Sequence, residues 1–169
     1  MTTSIAAAEE NAYDRPIAWT PELSVGVPEI DADHKVLIEL ISQINLAADL
    51  PEAYTIVGTV LAALSDYTEY HFIREERMQQ VVGFPTAEAH HQCHQILGQQ
   101  VQHYLALYTA NPDAVDTQDL FRFLQRWLFE HILKEDMQYV PYCANNPKAS
   151  EAVIAIGAEF FIDSDVGLF

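Results

Sequence analysis

The chain has 169 residues, 25 acidic against 8 basic for a formal net charge of -17, and half of its residues are hydrophobic. A domain of this size buries about 70% of its unfolded surface, room enough for an enclosed site, and the acid is spread through a globular composition. So negative a field disfavours nucleic acid and anionic membrane surfaces as partners, and no apolar run nears the roughly 20 residues of a membrane span.

Cys93 and Cys143 are too few for a secreted disulfide framework. The opening stretch MTTSIAAAEENAYDRP lacks the basic and apolar regions of a secretory leader. A reduced, cytoplasmic setting is the expectation.

Residues 1–30 hold Pro16, Pro21, Gly26 and Pro28 with no helical period and read as a mostly extended arm. Asp31 is a good N-cap, and His34, Leu37, Ile38, Ile41 and Ile44 then form one stripe on a helix that stops before Pro51. Val57, Val60, Leu61, Leu64, Tyr67, His71, Glu75 and Met78 mark a long second helix, ended by Gly83 and Pro85. A third stripe runs through His90, His94, Leu97, Val101, Tyr104 and Tyr108 and closes at Asn111-Pro112. Asp116 or Thr117 can cap a fourth helix with Leu120, Leu124, Trp127, Leu128 and His131 inward.

Four amphipathic helices on short links predict an all-α, antiparallel up-down-up-down four-helix bundle over residues 31–138. Residues 139–169 form a C-terminal extension. PYCANNP is turn-rich, and PKASEAVIAIGAEFF can make a short fifth helix with Val153, Ile154, Ile156 and Phe160 on one side. Its role is packing on the bundle or in a dimer contact, with docking of a partner or covering of an entrance as the alternatives.

Polar side chains interrupt the stripes in a pattern. Residues four apart share a helix face, so His71 pairs with Glu75 and His90 with His94, while His34 and His131 stand on the other two inward faces. One inward histidine is ordinary core, but five on converging faces with a carboxylate at ligand spacing are costly to bury unpartnered. A metal satisfies them together, and a mixed nitrogen and oxygen set does not by itself choose among first-row metals such as iron, manganese and zinc. Asp136 lies five residues past His131, about 140° round an ideal helix. It is an exposed C-terminal acid, or the helix widens or ends there and lets the carboxylate swing inward.

The stretches HFIREE, HHQCH after FP, and WLFEHILKED resemble the bacterial hemerythrins, helical-bundle proteins that bind oxygen at a non-haem di-iron centre. Trp19, SVG at 24–26 and ID at 30–31 extend the likeness into the arm, so that it covers residues 17–138. The family pattern of ligands is filled in order by His34, His71, Glu75, His90, His94, His131 and Asp136. The resemblance implies that His90, His94 and His131 hold one iron, His34 and His71 the other, and that Glu75 and Asp136 bridge the pair beside an oxo or hydroxo group. A count of positions on two six-coordinate irons then leaves one open, on the iron of His34 and His71. The implied function is reversible binding of dioxygen, as carrier, store or sensor, in a pocket lined by Trp127, Leu128 and Ile132.

The alternatives are a di-iron enzyme acting on peroxide or nitric oxide, and a sensor that signals to a partner, or self-associates, through the extension. An enzyme needs a proton donor at the open position, and none stands among Trp127, Leu128 and Ile132. Asp33, where relatives commonly carry Gln, reads as a surface acid near a helix N-terminus, with tuning of the neighbouring ligand as the alternative. Tyr67 reads as a core aromatic or a functional phenol, Glu76 as a solvated or ion-paired acid, and His91 and His103 as surface residues. Cys93 is a small side chain beside the ligand helix.

Overall fold

In a computed structural model, described over residues 18–48, 50 and 52–164 and for side chains through residue 157, the first long helix starts at Pro28. That is three residues ahead of the expected cap at Asp31. Pro28 occupies the first helical position, where its missing N–H is no loss and its φ is already helical. Asp31 serves the arm instead, its carboxylate accepting from the Val25 N–H at 2.8 Å and the Ser24 hydroxyl at 2.6 Å and so pinning the arm to the helix. Within the described part the arm is not purely extended, since Pro21–Leu23 makes a 3-10 turn. Pro16 and the residues before it lie outside the described part.

Four long helices follow the expected order: α1 Pro28–Ala47, α2 Ala53–Val82, α3 Ala87–Ala110 and α4 Thr117–Lys134. Pro51 lies outside the described residues. Gly83 ends α2 in the left-handed conformation, φ 73°, and Asp116 caps α4 by accepting from the Asp119 N–H at 2.9 Å. α1 packs on α2 and α4, and α2 packs on α3, so the chain forms the all-α bundle that its stripes require.

The extension is larger than a short fifth helix. After a 3-10 turn at Asp136–Gln138 come a single helical turn, α5 Val140–Cys143, and an 18-residue helix, α6 Pro147–Ser164, laid mainly along α2. Its inward face is Ala149, Ala152 and Val153, whereas Ile154 points out at 55% exposure. Ala149, Ala152 and Val153 recur at spacings of three and four on one face, and Ile154, about 100° round the helix from Val153, falls outside it. The side chain of Phe160 lies outside the described part.

Two hydrophobic clusters result. The larger fills the bundle from Leu61 and Leu64 to Phe72, Trp127 and Ile132. The smaller joins the arm (Val25, Val27), the end of α2 (Met78) and the extension (Tyr139, Cys143, Val153). The His and carboxylate positions lie between them. Among the described residues no helix is long and apolar enough to cross a membrane. Because Val153 is fully buried, Val153→Ala is expected to lower stability by about 2 kcal/mol, from two methyls at roughly 0.8 kcal/mol each plus the cavity. A melt unchanged by that substitution, read by circular dichroism, contradicts an integral role for α6.

Candidate metal centre

Each helix brings its polar residues to the same depth. His71 and Glu75 are one turn apart on α2, His90 and His94 one turn apart on α3, and His34 and His131 face them from α1 and α4. Asp136 arrives differently. α4 ends at Lys134, the Glu135 N–H makes the last bond to the His131 carbonyl at 2.8 Å, and the following 3-10 turn swings the carboxylate inward. Of the alternatives for Asp136, the helix ends. All seven side chains are buried, none more than 6% exposed.

They form two overlapping groups. The ligand atoms of Glu75, His90, His94, His131 and Asp136 all lie within 4.8 Å of one another, and so do those of His34, His71 and Glu75. Nε2 of His94 is 3.0 Å from Nε2 of both His90 and His131. Its Nδ1 faces Glu76 Oε1 at 2.8 Å. A neutral ring that donates there keeps a lone pair on Nε2, aimed at the same point as its two neighbours.

Each carboxylate divides its oxygens between the groups. Glu75 sets Oε1 3.1 Å from His90 and Oε2 3.1 Å from His71. Asp136 sets Oδ1 3.1 Å from His131 and Oδ2 3.3 Å from His34. Yet both ring nitrogens of His34, Oε2 of Glu75 and both oxygens of Asp136 are buried without a hydrogen bond. Buried polar atoms are seldom left so. Orphaned nitrogen and oxygen donors converging on two points fit metal cations.

The charges within the cluster act on one another. Burial works against the Glu75 carboxylate, but His71 and His90 hold its pKa well below the ordinary value. Burial and the Glu75 charge oppose Asp136, and His131 and His34 outweigh them to lower it. Burial also disfavours the protonated rings: it lowers His94, whereas Asp33 and Glu75 overcome it at His71, raised to about 9, and Asp136 overcomes it at His131.

Trp127, Leu128 and Ile132 are all buried and belong to the larger hydrophobic cluster. Leu128 and Ile132 sit with Ile38 and Ile41 between α1 and α4, and Trp127 faces α3 beside Leu97 and Cys93. Phe72, adjacent to the ligand position His71, stacks on His94 with ring centroids 3.7 Å apart. Trp19 from the arm approaches His34 at 6.5 Å.

Several surrounding residues depart from expectation. Asp33 is no surface acid: it is buried against Arg74, Tyr67 and His71, because the start of α1 faces the middle of α2. Tyr67 is thereby a bonded phenol rather than plain core. Glu76 is the ion-paired acid, facing both His94 and the half-exposed His91, and His103 is exposed. Gln79 donates to Glu75 at 3.2 Å, a contact its spacing of four signals. Tyr139 is fully buried, and its hydroxyl nears Glu75 without closing a hydrogen bond. Burial and the charges of Glu75 and Asp136 push that phenol well above its usual pKa. The Cys93 thiol, raised by burial, sits in a surface groove outside the cluster.

Known proteins match this arrangement. A profile of the Hemerythrin HHE cation binding domain matches residues 25–143. The chain is 32% identical over 123 residues to a bacteriohemerythrin of Stenotrophomonas maltophilia, covering 73% of this chain and 78% of that protein. A hemerythrin-like protein of Naegleria gruberi is 28% identical over 124 residues, covering 73% and 91%. The crystal structure of a wild-type hemerythrin superposes with a TM-score of 0.69 at 30% identity, covering 75% of this chain and 97% of that one. A buried His, Glu and Asp cluster suited to iron, at the centre of a helical bundle that this profile matches, places the chain in the hemerythrin family.

Proposed function

We propose that the seven residues hold two non-haem irons and that the protein binds dioxygen reversibly. His90, His94 and His131 take one iron, His34 and His71 the other, and Glu75 and Asp136 bridge them with an oxo or hydroxo group. The observation that carries this reading is the division of each carboxylate, one oxygen toward each histidine group. The bacteriohemerythrin names of its relatives support it.

Held by these residues, an iron pair would supply the two electrons for reversible binding of dioxygen. The protein's part is position, charge and dryness. Five neutral imidazoles with only two carboxylates leave the site more cationic than four-carboxylate di-iron bundles, which favours the lower iron oxidation state after release. With two six-coordinate irons so held, the open position would fall on the side of His34 and His71. Trp127, Leu128 and Ile132, buried in the larger cluster, would line the oxygen pocket and keep it dry.

Tyr139 favours a second reading, a di-iron enzyme acting on peroxide or nitric oxide, since it puts a buried hydroxyl beside Glu75. Burial and the Glu75 and Asp136 charges hold that phenol protonated, a form that can donate. The reduced, iron-loaded protein is expected to gain charge-transfer bands under oxygen and lose them when oxygen is removed, at two irons per chain. Irreversible oxidation with fast turnover of peroxide or nitric oxide would overturn the carrier reading.

Metal removal has its own signature. In the metal-free protein His71 is expected to titrate near pH 9 and His94 below 6.5, read by NMR of the ring protons, and iron should abolish both titrations. The stability that protonated His71 contributes is complete below about 6.5 and is lost as pH rises through about 9. Titrations that persist in the iron-loaded protein contradict ligation by these rings.

A further inference from the structure

Asp33 directly precedes the ligand position His34, yet it turns toward α2 and is only 2% exposed. Nη1 of Arg74 donates to both of its oxygens, at 2.6 and 2.8 Å, and the Tyr67 hydroxyl donates to Oδ1 at 2.8 Å. Its Oδ2 lies 3.6 Å from Nδ1 of His71. That separation is long for a hydrogen bond, but His71 Nδ1 is itself buried and has no hydrogen-bond partner. The group in place to accept from it is a carboxylate.

We infer that Asp33 is a positioning residue for His71: it takes the ring's Nδ1–H, keeps Nε2 free for iron, and sets a negative charge behind the two-histidine iron, favouring its ferric state. Metal-bound histidines usually pass their other N–H to such a partner, which orients the ring and raises its basicity as a ligand. Here the partner is itself clamped. A bare carboxylate at this depth is costly, and Arg74 offsets that by pairing with it.

The clamp is also kept dry from outside. The Arg74 guanidinium lies 4.8 Å over the Tyr70 ring. α6 passes so close that a Cβ on Gly157 would stand 3.3 Å from the Tyr70 hydroxyl. In such a low-dielectric setting a fixed charge acts on its neighbour more strongly than it does in water.

Two substitutions should move the iron in opposite directions. Asp33→Asn (D33N) removes the charge and leaves the Arg74 cation unpaired beside His71. Tyr67→Phe (Y67F) removes one donor from the carboxylate, which leaves more of its charge for His71. The inference rests on His71 holding iron, so the full-length iron-loaded protein and both variants are compared by spectroelectrochemical titration, with Co(II) affinity measured by chelator competition.

D33N is expected to raise the midpoint potential by about 59 mV or more, a tenfold loss of ferric preference for one electron, and to weaken Co(II) binding about 10- to 100-fold. Y67F is expected to lower the potential. Identical potentials in all three proteins overturn the inference, and so do shifts of the same sign, the pattern of a purely structural contact. If D33N does not fold, Y67F decides alone, and an unchanged potential overturns the assignment. Opposite shifts in proteins that fail to bind oxygen reversibly uphold Asp33 and overturn only the oxygen reading.

Discussion

Seven ionisable side chains share one enclosed volume at the bundle axis, and the rest of the structure has to offset their burial. Charged and polar groups taken from water lose several kcal/mol each unless they are paired, and here some of the pairing is left incomplete. Hydrophobic clusters on both sides of the centre supply the stabilisation that the centre lacks. Cations would complete the pairing, so metal affinity and fold stability are coupled quantities in a site of this kind.

The outer contacts of the two histidine groups are unlike each other. On the three-histidine side, His94 faces Glu76, half-buried and shared with His91 at the surface, so that side reaches solvent through one carboxylate. On the two-histidine side, His71 faces Asp33, which Arg74 and Tyr67 enclose. A charge screened by water is worth little, whereas one held in the interior is felt at short range. The two groups of candidate ligands therefore differ in the strength of the field behind them as well as in their number of imidazoles.

How far the chain could be read in advance follows the helical period. Stripes and ligands on the straight parts of helices repeat every three or four residues, which brings His71 with Glu75 and His90 with His94 without knowledge of the packing. Asp136 escapes that rule because it stands beyond the helix end, in a turn whose direction no periodicity encodes. Asp33 escapes it for another reason. Its partners Tyr67 and Arg74 lie 34 and 41 residues away, and a short acid near a helix start is usually exposed, so its burial depends on how α1 meets α2. Tyr139 and Phe72 are indistinguishable in sequence from ordinary core aromatics, and only the assembled bundle sets them against the ligands.

The arm and the extension add a second layer of packing beside the centre. Glu75 and Asp136 are fully buried, and the smaller hydrophobic cluster packs on the side of them away from the larger one. Val25 and Val27 join the smaller cluster from the arm, held by the Asp31 contacts, and Tyr139, Cys143 and Val153 enter from the other terminus to meet Met78 and Phe84. The same α6 that contributes Ala149, Ala152 and Val153 to this cluster runs past Tyr70, whose ring lies under the Arg74 guanidinium that pairs with Asp33. Loosening α6 would therefore admit water to that side of the centre and to the charge behind His71 together, two effects that a change confined to the bundle core would separate.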